Sequence, residues 1–304
     1  MTEAATSAAD GVLVVDKPSG PSSHDVVAAV RRVLAGAKVG HTGTLDPLAT
    51  GVLPLLIGKA TRLAQFLKDA TKTYEARVQF GWATDTYDGA GDPIGAATPV
   101  AVDRRALDAV LERFRGTFVQ RPPAFSAKKV GGHRAYALAR ASRPVALDSV
   151  MVTVHELRLL DLDGSTAVLE LTSGAGFYVR SLAHDLGVAL GTGAHLASLR
   201  RTRSGEFDLS RAVTFARAVG SPGSALEGLV PMGALLGDMP ACRLSAEGLR
   251  RVHNGRDVEP AFLVDPPLQS GSGLVRLLDE SGALVAVALT ADSRGLLHPA
   301  VVLR

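Results

Sequence analysis

Extended segments with strand-like patterns, spread along most of the chain, limit its fold more than any other feature. Between residues 74 and 80, apolar side chains alternate with polar ones, the period of two that is typical of a strand with one buried face. Residues 150–162 and 167–172 have the pattern of two paired strands, and residues 195–203 form another extended segment. The alternation also predicts that Tyr74 points toward the core.

Helical patterns occur between these strands. Residues 22–36 show apolar side chains at helical spacing, with a serine at the start that can cap the helix and a glycine at the end. Residues 103–114 and 178–190 predict two further helices. Because strands dominate and helices are interspersed, we predict an α+β fold with a large mixed or antiparallel sheet that carries the helices.

The length of 304 residues allows a large domain followed by a small one. Residues 222–240 are rich in glycine and proline, which favours a connection. After them, residues 274–278 and 283–289 have the pattern of a hairpin. The sequence therefore predicts a domain over residues 1–237 and a small β-rich module over residues 238–304.

Positive charge is concentrated in one region, although the net charge is only +3. Residues 113–147 contain eight lysines and arginines and no acidic residue. Within this stretch, the proline and glycine pairs predict an irregular arm over about residues 120–147. Segregated positive charge attracts phosphate. A solvated basic face explains the same pattern, and the charge alone does not decide between the two.

Several classes of protein are disfavoured. The single cysteine, Cys242, allows neither an internal disulfide nor a thiolate-rich metal site. The amino terminus lacks the pattern of a signal peptide, and no apolar run reaches the roughly 20 residues that span a membrane. We therefore expect a cytoplasmic protein. Asp85, Asp88 and Asp92 do not fit a calcium loop, and they predict a polar surface turn.

Residues 40–51, which read GHTGTLDPLATG, are the segment most suggestive of chemistry. Three glycines and a proline give this loop an irregular backbone between a helix and a buried strand. His41 and Asp46 lie in it, but one histidine and one carboxylate do not make a metal site. The downstream glycine and lysine have the wrong spacing for a phosphate-binding loop. Loop carboxylates are often turn formers, so spacing alone leaves the role of Asp46 open.

The same loop resembles the signature of the TruB-type pseudouridine synthases, in which the aspartate is the nucleophile. Four further segments resemble the family in the same order along the chain. They are residues 17–20, residues 72–74, residues 120–129 with Tyr136 and Arg140, and residues 176–187. The resemblance implies isomerisation of uridine 55 in the T-loop of tRNA to pseudouridine, without a cofactor, a metal or an obligate protein partner.

The resemblance assigns three catalytic residues: Asp46, Tyr74 and Arg180. Asp46 would form a covalent adduct, and Arg180 would pair with it because a guanidinium favours the charged carboxylate. Tyr74 would stack on the uracil or move a proton. From the residues alone, an ordinary core aromatic is the favoured interpretation of Tyr74, and a phosphate contact or a structural ion pair that of Arg180.

The family pattern also implies contacts to the RNA substrate. His41 would lie beside a uridine that has left its stack, Leu199 would touch the base, and Tyr178 is a second stacking candidate. Basic side chains are candidates for phosphate contacts, since such contacts follow backbone shape. They are Lys17, Arg121, Lys128, Lys129, Arg140, Arg200 and Arg201.

Two features depart from the family, and three other functions remain open. Residues 172–175 lack a lysine that many relatives have, and the carboxy-terminal module resembles a PUA-like module only in position and in its hairpin. A same-fold enzyme that serves another RNA through a guide is one alternative, and a non-catalytic RNA-folding protein is the second. A carboxylate glycosidase is the third, but it needs a second acid opposite the first.

Overall fold

The computed structural model describes residues 10–125, 129–130, 133–134, 147–265, 273–290 and 295–303. Its helices are α1 (Ser23–Val33), α2 (Ala64–Leu67), α3 (Arg104–Glu112), α4 (Val179–Ala189), α5 (Phe215–Gly220), α6 (Pro222–Leu226) and α7 (Ala246–His253). Its strands are β1 (Gly11–Lys17), β2 (Val39–His41), β3 (Thr50–Ile57), β4 (Lys72–Phe80), β5 (Ala83–Thr84), β6 (Pro93–Ile94), β7 (Gly116–Gln120), β8 (Lys129–Val130), β9 (His133–Arg134), β10 (Val150–Asp163), β11 (Thr166–Ser173), β12 (Ala194–Ser204), β13 (Phe207–Asp208), β14 (Val213–Thr214), β15 (Leu229–Pro231), β16 (Ala241–Arg243), β17 (Leu274–Leu278), β18 (Leu284–Thr290) and β19 (Leu297–Val302).

One large sheet organises the first part of the chain. In the described residues its strand order is β14-β1-β3-β12-β4-β11-β10-β7, with β2, β13 and β15 on its flanks. Strand β4 runs antiparallel to both neighbours, whereas β3 and β12 run parallel. The sheet is therefore mixed, and the predicted α+β class is confirmed.

The two faces of this sheet are covered differently. On β1, Leu13 and Val15 join the core formed with α1 and α4. Val12 and Val14 point to the other side and pack with Leu284 and other residues of the terminal strands. Because alternate side chains reach two separate cores, β1 reads as a continuous apolar run.

Strands β16 to β19 form a separate four-stranded sheet in the described part of the chain. It has its own small core and also contributes to the core on the reverse face of the large sheet. Residues 222–240, which precede this sheet, are not the plain connection that their composition predicted. This segment contains α6, and β15 pairs with β1, so it belongs to the large sheet.

Most local predictions agree with the structure. Ser22 caps α1 through a capping box, and Asp103 caps α3. Between β3 and β4 the chain forms a 3-10 turn, Gly58–Leu63, followed by the short α2. Much of the arm predicted over residues 120–147 lies outside the described residues, and Arg134 is in β9. In the described ranges, no helix is both long and apolar enough to cross a membrane.

Candidate active site

The Asp46 loop is held firmly between β2 and β3. The buried Ser23 hydroxyl donates to the Leu45 carbonyl at 2.9 Å and accepts from the Leu45 N–H at 2.8 Å. The Ala49 N–H closes a turn on the Asp46 carbonyl at 3.0 Å. Leu45 is buried in the core, so its position also fixes the residue that follows. The carboxylate of Asp46 is thus presented by a rigid backbone.

Lys17 lies beneath this loop rather than on an RNA surface. Its fully buried ammonium donates to the carbonyls of Pro18 at 2.9 Å, Pro47 at 3.2 Å and Ala49 at 2.6 Å. Burial lowers the pKa of Lys17 to about 8, although the nearby Asp46 carboxylate offsets part of this effect. The prediction that Lys17 contacts phosphate is wrong, because its buried ammonium already binds three carbonyls of the protein, two of them in the loop.

Arg180 reaches Asp46 from the first turn of α4. Its Nη2 donates to Oδ1 at 3.1 Å, and its Nε lies 2.9 Å from Oδ2 without the alignment of a hydrogen bond. The same guanidinium donates to the carbonyls of Thr86 at 3.1 Å and Phe125 at 2.9 Å. The arginine side chain is 6% exposed, against 36% for Asp46. The structure therefore brings together the two residues that the family resemblance paired.

Asp88 is the residue of this site that sequence reasoning missed. Its Oδ2 lies 3.4 Å from Nη1 of Arg180, and its side chain is buried. Its Oδ1 accepts from the Thr86 hydroxyl at 2.8 Å and from the Ala90 N–H at 3.0 Å. The predicted surface turn is wrong for Asp88, because the turn folds inward to give the buried arginine a second anion.

A cleft of about 270 Å³ opens beside the Asp46 carboxylate. Its walls include Tyr74 from β4, Leu199 from β12 and Tyr178 and Arg180 at the start of α4. The volume is near the lower end of ligand pockets, which run from roughly 300 to 1,000 Å³. The cleft therefore suits one nucleoside better than a larger ligand. Tyr74 lies on the inward face of β4, as the alternation predicted.

Arg201 supports the opposite wall of the cleft. It is only 1% exposed, and it donates to the carbonyls of Val52 at 2.7 Å and Gly43 at 3.1 Å. Burial lowers the pKa of Arg201, and the nearby Tyr74 offsets part of this effect. The prediction of a phosphate contact is wrong for Arg201, because its donors are used inside the protein.

Gly51 allows this arrangement. It has a φ of +99°, and a Cβ at this position would lie 2.2 Å from the Arg201 carbonyl oxygen. Only glycine permits both the backbone angle and the close approach of β3 to β12.

Arg200 points away from the cleft. On β12 it stands opposite Glu75 of β4, and alternate residues of a strand face opposite sides, so it lies across the sheet from Tyr74. There its guanidinium forms a two-point ion pair with Asp16, at 2.8 and 3.1 Å. Arg200 therefore does not line the cleft, and its predicted phosphate contact would have to form on the reverse face.

The remaining predicted contacts have different positions. His41 precedes the residues of the loop that line the cleft, and its ring meets that of His24 edge-on at 5.7 Å. Burial, followed by the neighbouring His24, lowers the pKa of His41, which favours the neutral ring. The backbone of Lys129 lies in β8, whereas its side chain, with Lys128 and Arg140, is outside the described residues.

Comparison with known proteins identifies the family. A model of the TruB family pseudouridylate synthase N-terminal domain matches residues 31–179, and a model of the tRNA pseudouridylate synthase B C-terminal domain matches residues 180–218. The chain is 47% identical to the tRNA pseudouridine synthase B of Solibacter usitatus over 296 residues, which cover 97% of this chain and 100% of the relative. It is 44% identical to the enzyme of that name from an Azoarcus species, over 88% of this chain and 87% of the relative.

The fold agrees with this assignment. A chain of an H/ACA ribonucleoprotein bound to a substrate RNA containing 2'-deoxyuridine superposes with a TM-score of 0.72 at 27% identity. The superposition covers 97% of this chain and 85% of that one. The chain therefore belongs to the TruB family of tRNA pseudouridine synthases, isomerases that convert uridine in tRNA to pseudouridine.

Proposed function

We propose that this chain isomerises uridine 55 in the T-loop of tRNA, with Asp46 as the nucleophile. One observation carries the proposal. Asp46 is the only acidic side chain among the described residues that line the cleft, and a buried guanidinium holds its carboxylate in place. A uridine must leave its stack to reach a carboxylate in such a cleft. The T-arm of tRNA is accordingly the proposed partner.

The reaction needs only a nucleophile and proton transfer. Asp46 forms a covalent bond with the uridine, either at the ring or at the ribose, and so divides one difficult step into two. The glycosidic bond between nitrogen and carbon breaks, the uracil rotates, and a carbon–carbon bond replaces it. The bond to Asp46 then breaks, which returns the free carboxylate. The ring carbon gives up its proton and the freed nitrogen gains one, so the product is an isomer and no redox partner is consumed.

Tyr74 and Leu199 are placed to hold the uracil during this rotation. Both line the cleft, and a tyrosine face provides a stacking surface for any base. The Tyr74 hydroxyl is the group of this side chain that could transfer a proton, and Arg201 lines the same cleft. We assign Tyr74 both stacking and proton transfer, and we assign Tyr178 to the outer wall of the cleft.

The arm and His41 would bind RNA outside the cleft. Arg121 is exposed where the arm begins, and the acid-free stretch continues beyond it. His41 would occupy the space that the uridine leaves in its loop. Since relatives match nearly the whole chain, we propose that it works without an obligate protein partner, in the cytoplasm.

A glycosidase is the weaker alternative, and the position of the second carboxylate argues against it. Glycosidases place two carboxyl groups on opposite sides of the substrate. Here the second carboxylate is Asp88, which lies against Arg180, is buried, and is not among the residues that line the cleft.

Tritium release from tRNA labelled on the uracil ring tests the proposal. Wild type, Asp46→Asn and the matched control Asp16→Asn would be compared in EDTA, with a transcript that has cytidine at position 55 as the substrate control. We expect release by wild type and Asp16→Asn, and none by Asp46→Asn, whose RNA affinity stays within about tenfold, or roughly 1.4 kcal/mol. Turnover by Asp46→Asn would refute the nucleophile, and release from the cytidine transcript would refute the position.

A further inference from the structure

The start of helix α4 is held by a residue from another strand. Tyr178 occupies the N-cap position, where serine, threonine or aspartate usually supplies a capping oxygen. Instead, the side-chain amide of Gln120 bonds the Tyr178 backbone twice. Its Oε1 accepts from the Tyr178 N–H at 2.9 Å, and its Nε2 donates to the Tyr178 carbonyl at 3.0 Å.

Two more hydrogen bonds continue this contact. The Ser181 hydroxyl donates to the Arg121 carbonyl at 2.8 Å, and Nη2 of Arg180 donates to the Phe125 carbonyl at 2.9 Å. The intervening Pro122 and Pro123 are buried, and the proline rings restrict the backbone between these contacts. The chain leaving β7 is therefore hydrogen-bonded to three of the four residues from Tyr178 to Ser181, where α4 begins.

Gln120 connects this helix start to the large sheet. It is the last residue of β7, is paired with Val150 of β10, and is only 1% exposed. Arg180 follows Tyr178 by two residues, so a shift of the helix start moves the guanidinium relative to Asp46. Misplacement by about 1 Å can reduce a rate by roughly 100-fold.

We propose that Gln120 is a positioning residue for Arg180. Its amide fixes the first turn of α4, so that the guanidinium stays in its two-point contact with Asp46. The inference rests on the roles proposed above for Asp46 and Arg180. Both ends of the amide are needed, because the oxygen accepts from one backbone group and the nitrogen donates to the other.

The experiment replaces Gln120 with methionine, which has similar length and makes neither hydrogen bond. Gln79→Met is the control, because the half-buried Gln79 also has a hydrogen-bonded side-chain amide, which bonds Phe80 and Ser165 at the far end of β4. For each variant, kcat, KM, RNA affinity and unfolding temperature are measured. We expect Gln120→Met to lower kcat about 10- to 100-fold, with KM and RNA affinity within about twofold, and Gln79→Met to keep the wild-type kcat.

Three outcomes would overturn the inference. They are a wild-type kcat for Gln120→Met, a change confined to KM or RNA affinity, and an equal reduction of kcat in both variants. If Gln120→Met does not fold, Gln120→Asn is measured in its place, since the shorter asparagine side chain cannot reach both backbone groups. Asp46→Asn is assayed alongside, because its activity would refute the nucleophile itself, whereas a failure of the Gln120 variants alone leaves the nucleophile intact.

Discussion

Two aspartate–arginine pairs lie on opposite faces of the large sheet, and they differ mainly in the arginine. Asp46 and Asp16 have similar side-chain exposures, 36% and 31%. Arg180 is 6% exposed, whereas Arg200 is 39% exposed. The exposure of the aspartate therefore does not distinguish the pair in the cleft from the pair on the reverse face, but the exposure of the arginine does.

The surroundings of the two guanidinium groups explain this difference. Arg180 also contacts Asp88 and two carbonyls, so its charge is compensated inside the protein. Arg200 has Asp16 and a longer contact of 3.4 Å to the Thr50 hydroxyl, and it otherwise faces solvent. A compensated, immobile cation orients a carboxylate for reaction, whereas an exposed cation exchanges with water and salt.

The largest predicted effect is the loss of activity and stability in Arg180→Met, which Arg200→Met should not show. Removing Arg180 leaves Asp46 without its orienting cation and the buried Asp88 without a positively charged partner. We expect kcat to fall by about 1,000-fold and stability to drop by roughly 3–5 kcal/mol. Arg200→Met should change kcat less than about threefold, because it is on the other face. Single-turnover kinetics and urea unfolding would check both variants, and equal reductions would invalidate the comparison.

Asp88→Asn should have the next largest effect. The amide keeps the shape of the side chain but removes the negative charge 3.4 Å from Nη1 of Arg180. The guanidinium then has one anion rather than two and is held less firmly against Asp46. We expect kcat to fall roughly 10- to 100-fold with little change in KM. A rise in KM at constant kcat would instead indicate that Asp88 serves RNA binding.

The buried Lys17 beneath the Asp46 loop should make the stability of the protein depend on pH. The pKa of Lys17 falls from 10.5 in the unfolded chain to about 8 in the folded protein, mainly through burial. Between these values the unfolded chain binds more protons, so the contribution of Lys17 to stability rises with pH. Urea unfolding at pH 7.5, 9 and 10 should show the free energy of unfolding of wild type increasing relative to that of Lys17→Met as the pH rises. Parallel curves for the two proteins would contradict the burial of a charged amine.

The sequence predicted local structure well because periodicity is a local property. Alternation placed Tyr74 on the inward face of β4, and helical spacing gave α4 within one residue at each end. The Asp46–Arg180 pair came from the family resemblance, since no spacing shows that residues 134 positions apart meet. Asp88 was missed because only the folded turn shows that it faces inward.

The basic residues show most clearly what the sequence alone cannot predict. Adjacent in sequence, Arg200 and Arg201 were treated alike, yet one is on the reverse face and the other is buried beside Tyr74. The alternation in β12 separates them, but the register with β4 decides which of the two faces the cleft. Likewise, the buried Lys17 binds two carbonyls of a distant loop as well as that of Pro18, which composition cannot show.

The salt dependence of RNA affinity should show whether the arm or the reverse face binds RNA. Lys128 and the side chain of Lys129 lie outside the described residues, and their assignment to RNA rests on the acid-free stretch. Replacing both with methionine should reduce the slope of log affinity against log salt by about 1.5, since each neutralised phosphate contributes roughly 0.7–0.9 to that slope. Arg200→Met should leave the slope unchanged. The opposite pattern would move the RNA-binding surface to the reverse face.

The smallest predicted effect is the coupling between Asp16 and Arg200. A partly exposed pair typically contributes about 0.2–1 kcal/mol, and its strength falls as salt increases. A double-mutant cycle with Asp16→Asn and Arg200→Met, measured by urea unfolding, should give a value in this range, with tritium release by all three variants close to wild type. A coupling above about 2 kcal/mol would mean that the reverse pair is held as firmly as a buried one. Side-chain exposure would then be a poor guide to which pair orients a reactive carboxylate, and the contacts of Arg180 with Asp88, Thr86 and Phe125 would have to carry that distinction alone.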